Sequence, residues 1–140
     1  GIIFFSLFMG SVFKSWKPFT AMTFGFVVAS LSWILIAVFG TTWAVVVGVA
    51  LFALGEGTMA PRFYEYVGTL APKEQVGTYM GFAFLPVAIG SFGAGAVADW
   101  LRLTYMTTNP TMMWYILSAI GVVSTVLVIA YDKMLSPKTA

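Results

Sequence analysis

The chain has 140 residues, 60% of them hydrophobic, 17% aromatic and only 9% charged, with a net charge of +2 and a mean hydropathy of +0.95. A soluble domain carries about a quarter charged residues and could not keep this much apolar surface from water, so a soluble fold is excluded and an integral membrane protein is indicated. Cysteine and histidine are absent, which excludes a disulfide framework, a thiolate metal site and histidine base chemistry, and the small, scattered charge argues against a nucleic-acid partner.

A spanning helix needs about 20 apolar residues. The chain opens on Gly1-Ile2-Ile3, already inside an apolar run, with neither the basic segment nor the cleavage site of a signal peptide. Residues 2–13 are expected to be the end of a truncated helix, and the chain to be part of a longer protein whose N-terminal half is its partner. Lys14 to Pro18 forms a short basic link. Residues 19–39 supply an uncharged span, and Gly40-Thr41 a tight turn.

The next predicted helix, 42–66, is interrupted only by Glu56 before it reaches Pro61 and Arg62. Ala71-Pro72-Lys73-Glu74-Gln75 is polar and contains a helix-stopping proline. A helix over 76–100 follows, with Pro86 in its interior, where a bend is expected. It is rich in small residues: Gly77 and Gly81, then Gly90, Ser91, Gly93 and Gly95. Such residues let helix backbones approach closely in lipid, so tight packing against a neighbour is the plain expectation, and a smooth sliding surface the functional one. A link from Asp99 to Thr111 leads to the last helix, 112–132. The expected fold is all-α, a polytopic transmembrane helix bundle with no soluble domain.

Short links make neighbouring helices antiparallel, so alternate links share a side. Lys14, Lys17, Arg62, Lys73, Lys133 and Lys138 then fall on one side and Arg102 alone on the other. Basic residues mark the cytoplasmic side, which places the C-terminus there. Trp16, Trp43, Trp100, Trp114 and Tyr131 lie near predicted helix ends, as an interfacial aromatic belt requires.

Glu56 lies about 21 Å in from the outer end of its span, within a hydrocarbon core of about 30 Å. An ionised carboxylate at that depth is costly, and is expected to face a bundle interior or a wet cavity with a partner nearby. Arg62 is about 9 Å further along the axis and on another face, whereas Glu65 is three residues from Arg62, a spacing at which side chains meet. Arg62 and Glu65 are therefore expected to form an ion pair at the cytoplasmic boundary, leaving Glu56 for substrate or proton. The plainer alternatives are a structural charge pair with another helix or an acid held neutral by desolvation. Pro61 cannot donate to the Gly57 carbonyl, and Gly55 and Gly57 add backbone freedom, so Glu56 sits on a weakened stretch of helix, a recurring device in transporters. Phe52, Met59, Ala60 and Phe63 share its face, a pattern that packing alone also produces.

The run Gly55-Glu56, Pro61, Ala71-Pro72 and Met80-Gly81 resembles the tenth helix, cytoplasmic link and eleventh helix of the proton-dependent oligopeptide transporters, a family of the major facilitator superfamily. The resemblance implies a twelve-helix fold with both termini cytoplasmic, of which this chain covers part of helix eight to helix twelve. It implies that Glu56 faces the central cavity and contacts the amino terminus of a peptide. The family's proton-coupling motif belongs to its first helix. Two departures point away from a peptide: Ala83 stands where the family carries tryptophan, and Arg62-Phe63-Tyr64-Glu65-Tyr66 replaces a small residue followed by Gly-Leu.

The function expected is secondary active transport, proton-coupled uptake of small peptides or a related solute, in a bacterial inner membrane. Its partners would be the bilayer, the substrate and protons. A major facilitator transporter or exporter of another solute is the nearest alternative. A membrane-embedded enzyme or a structural subunit is the alternative of another class. Enzymatic activity is not expected, because Glu56 is the single ionisable group deep in a span. No cofactor or metal is expected.

Overall fold

The computed structural model describes residues 15–134. The expected helix over residues 2–13, together with Lys14 and Lys138, lies outside the described residues. Four helices make up the rest: α1 (Pro18–Phe39), α2 (Thr42–Leu70), α3 (Val76–Tyr105) and α4 (Pro110–Met134), with a single 3-10 turn at Lys73–Gln75 before α3. There is no strand among the described residues. Each of the four is long and apolar enough to cross a membrane, so the described residues form an all-helical set of membrane-span-capable helices, as in an integral membrane protein.

Local chemistry sets the helix ends. Proline occupies the first position of both α1 and α4, where a missing N–H costs nothing. Gly40 ends α1 in the left-handed region at φ 57°, and its N–H reaches the Ile36 carbonyl at 3.0 Å. Thr41 caps α2, its hydroxyl accepting from the Ala44 N–H at 3.2 Å, and the Asn109 side chain accepts from the Met112 N–H at 3.3 Å at the start of α4. A side chain at Gly40 must adopt an unfavourable backbone region. Gly40→Ala is therefore expected to cost about 1 kcal/mol, read as a lower unfolding midpoint in detergent, and Gly40→Asn less than that.

Three helices run past their predicted ends, α4 only to Met134 and the other two further. α2 continues to Leu70 rather than to residue 66, because a helix stops where backbone geometry fails rather than where hydropathy falls. Ala71, ahead of Pro72, is extended at φ −80°, ψ 133°. α3 continues to Tyr105 through what hydropathy marks as a link. Its polar end is held by Arg102 and Asp99, paired at 2.9 Å one turn apart, and by the burial of Leu101. At about 43 Å, α2 exceeds the hydrocarbon thickness, so one end projects or the helix tilts.

α1 is the central helix. It packs most extensively on α2, then on α4, while α3 touches α2 and α4 only lightly. Small residues make the close contacts. A Cβ on Gly25 would lie 2.6 Å from the Gly55 carbonyl oxygen, and one on Gly55 would lie 2.5 Å from that of Gly25. The α1 and α2 backbones therefore touch at this crossing, with Ala29 one turn further along α1 beside Gly55. Gly48 receives Ile36 and Ser32 of α1, and Gly121 of α4 receives the Ser30 hydroxyl. Trp33 of α1 stacks on Trp114 of α4 at 5.6 Å and meets Phe52 of α2 at 5.0 Å. Trp114 is thus part of the interhelical packing, whereas Trp43 and Trp100 are exposed near helix ends.

The glycine-rich helix does not pack tightly among the described residues. Gly77, Gly81, Gly90, Gly93 and Gly95 have no neighbour within 4 Å of a built Cβ, and only Ala83 and Leu101 of α3 are buried. The tight glycine contacts instead involve α1, α2 and α4. Spacing within one helix shows that a backbone can be approached, not which helix approaches it.

Candidate functional site

Glu56 follows Gly55, the residue at which α2 is in backbone contact with α1. One step around a helix is about 100°, so burying Gly55 in the crossing turns Glu56 away from it. Gly55 is buried and Glu56 is exposed. Within the described helices Glu56 therefore does not enter the packed interior but stands on an open flank of α2. Among the described residues no hydrogen bond or ion pair reaches its carboxylate.

The surroundings on α2 are partly packed. Phe52, one turn before Glu56, is half-buried with its ring on Trp33. Met59 lies at the crossing, its Cβ 2.9 Å from where a Gly25 side chain would begin. Ala60 and Phe63 are also half-buried, so most of that face takes part in packing. Gly57 is half-buried and Pro61 exposed, and α2 is continuous through Pro61, as α3 is through Pro86. The helix is retained without the bond that Pro61 cannot make. The Gly57 carbonyl, lacking that donor, lies one turn from the proline and next to Glu56.

Arg62 and Glu65 pair through Nη1 and Oε2 at 2.5 Å, with side-chain exposures of 8% and 52%. The guanidinium is inside the packing and the carboxylate reaches out from it. Glu65→Gln keeps an acceptor but removes the charge that balances a buried cation. We expect a loss of about 1–2 kcal/mol, between the values for exposed and buried pairs, measured by thermal unfolding in detergent.

An aromatic cluster gathers three helix ends. The Phe19 ring at the start of α1 meets Tyr66 of α2 at 4.7 Å and Tyr131 of α4 at 5.6 Å. Lys17, Lys73 and Lys133 lie at this end of the bundle, with Arg62 about one turn inside Tyr66, while Arg102 lies at the other end. Measured along α2 from this cluster, Glu56 is about 15 Å in, and it is about 21 Å from the opposite end of the helix.

Ala83 is buried, next to a contact between Tyr64 of α2 and Phe84 of α3 at 5.0 Å. Among the described residues no group of three acidic side chains could hold a metal ion. Sequence reasoning did not single out Gly25 or Trp33, the α1 residues that set the position of the Glu56 segment. The Gly25-to-Ala29 spacing was the available signal for the first, and nothing in the local pattern marked the second. No family model, curated protein or solved structure matches the chain.

Proposed function

We propose that the chain belongs to a secondary active transporter of major facilitator type, in which Glu56 binds a cationic group of the substrate, the driving proton, or both. The observation behind this reading is a carboxylate near the middle of a membrane-spanning helix, exposed and without a partner among the described residues. An unpaired charge at that depth is expensive to keep, and such residues mark ion and substrate paths. In this reading the described helices correspond to helices nine to twelve, and the other helices of the fold close the cavity that Glu56 faces. Alternating access then rocks two halves around a midplane site. The end bearing Lys17, Lys73 and Lys133 would be cytoplasmic, in a bacterial inner membrane.

The run Gly55-Glu56, Pro61 and Ala71-Pro72 resembles the proton-dependent oligopeptide transporters, and on that resemblance the substrates would be small peptides. A non-peptide amine is a second reading, and Ala83 favours it: the aromatic wall expected for a peptide is replaced by a small, buried side chain. The test is uptake into proteoliposomes with an inward acid gradient, comparing labelled di-alanine with simple organic amines, for the wild type and Glu56→Gln. Unchanged uptake by the variant would reject the role given to Glu56.

A further inference from the structure

An open groove of about 410 Å³ lies between the start of α1 and the end of α4. Trp16, Asp132 and Lys133 stand at its mouth, Thr20 and Thr23 below them, and Phe24, Val27 and Ile129 line its inner end. From Thr20 to Val27 the groove descends about 10 Å along α1, from the level of the helix ends into the apolar part of the span. It is thus polar where lipid headgroups lie and apolar where acyl chains begin.

Its polar groups are open to a ligand, with the Asp132 carboxylate also near the Tyr66 hydroxyl. Among the described residues neither the Asp132 carboxylate nor the Lys133 ammonium makes a hydrogen bond or ion pair. The Thr20 and Thr23 hydroxyls are likewise unbonded. Further along α1, Ser30 and Ser32 instead donate to the Phe26 and Ala29 carbonyls at 2.7 and 2.6 Å. One carboxylate, one ammonium and two free hydroxyls above an apolar floor complement a headgroup that carries both charges. Lys133 suits a phosphate, Asp132 a primary ammonium that can donate hydrogen bonds to it, and the threonines the remaining phosphate or ester oxygens. Trp16 lies at the level that tryptophan favours at a membrane interface.

We propose that this groove binds one phospholipid bearing a phosphate and a primary ammonium, phosphatidylethanolamine. Phosphatidylcholine offers no N–H to Asp132, phosphatidylglycerol offers no cation, and a free phosphoamine would leave the apolar floor uncovered. The site is separate from Glu56 and independent of any transported solute.

Native mass spectrometry of the whole protein in detergent tests this, with the three lipids added at equal concentration and with identical acyl chains. Phosphatidylethanolamine should be retained about tenfold over phosphatidylcholine, the scale of one charge-assisted hydrogen bond. Asp132→Asn should bring the two to parity. The double variant Thr20→Val, Thr23→Val should weaken retention of phosphatidylethanolamine severalfold, and it serves as the readout if Asp132→Asn is not monodisperse. Any other order of preference among the lipids would overturn the proposal. So would a preference that survives these substitutions, or displacement of the lipid by phosphoethanolamine without acyl chains.

Discussion

Glu56→Gln should lower uptake driven by an acid gradient by about ten- to a hundredfold, the kinetic equivalent of one lost charge-assisted contact. Glutamine has nearly the shape of glutamate and can still accept a hydrogen bond, so packing along α2 is unchanged. It can neither take up a proton at physiological pH nor balance an ammonium. Because Glu56 is exposed and has no hydrogen bond or ion pair among the described residues, no structural contact there is broken by the change. Thermal stability should therefore be equal to the wild type or higher, since removing an unpaired charge from the middle of a span relieves a cost. Loss of uptake with stability retained is the combined result expected of a functional carboxylate. Loss of both would assign Glu56 to structure. Glu56→Asp keeps the charge but withdraws it by one methylene, and should fall between the two.

The second large effect is steric. Gly55→Ala and Gly25→Ala should each destabilise the protein by about 1–3 kcal/mol, the range for overpacking a close contact. The new Cβ would stand 2.5 Å and 2.6 Å, respectively, from a backbone carbonyl oxygen on the facing helix. A carbonyl cannot rotate out of the way as a side chain can, so the helices must separate. In α3, Gly93→Ala and Gly95→Ala should be neutral or stabilising by about 0.5–1 kcal/mol, because a built Cβ there meets nothing and alanine is the better helix former. Unfolding midpoints in one detergent give the comparison. Equal midpoints for Gly55→Ala and Gly93→Ala would show that α1 and α2 do not cross at these glycines. Gly55→Ala should also reduce uptake, since separating α1 from α2 moves the segment that holds Glu56.

Taken together, these substitutions divide the chain into two parts. α1, α2 and α4 form a packed unit through Gly25, Gly55, Gly48, Gly121 and the Trp33 stack. α3 lies at its margin with a smooth, small-residue surface. In the transporter reading, Glu56 stands on the flank of the packed unit, held by the crossing immediately before it. A binding residue must keep its place while other elements move, and a backbone contact between two helices supplies that fixity.

How much of this was legible in the sequence depends on the range of the interaction concerned. Four helices and their order follow from runs of apolar residues, because the bilayer demands about 20 of them and demands that backbone bonds close within the helix. The depth of Glu56 follows from the rise per residue, and the proximity of Arg62 to Glu65 from helical periodicity. These are local regularities, and one strand of sequence contains them whole. Helix ends were read less well: hydropathy falls at Asp99, but α3 runs on to Tyr105, because an i, i+3 ion pair and a buried leucine extend it.

Tertiary structure decided which small residues meet. Glycine was most concentrated in α3, yet the backbone contacts lie between α1 and α2, at Gly25 and Gly55, and the Gly25-to-Ala29 spacing that marks the first does not say which helix it meets. The same holds for Glu56. Its sequence position sets its depth, but the face it presents depends on Gly55 being drawn against Gly25, and that pairing joins residues 30 positions apart. Close approach in lipid rests on dispersion between matched surfaces, and the match belongs to a pair of helices rather than to either one alone.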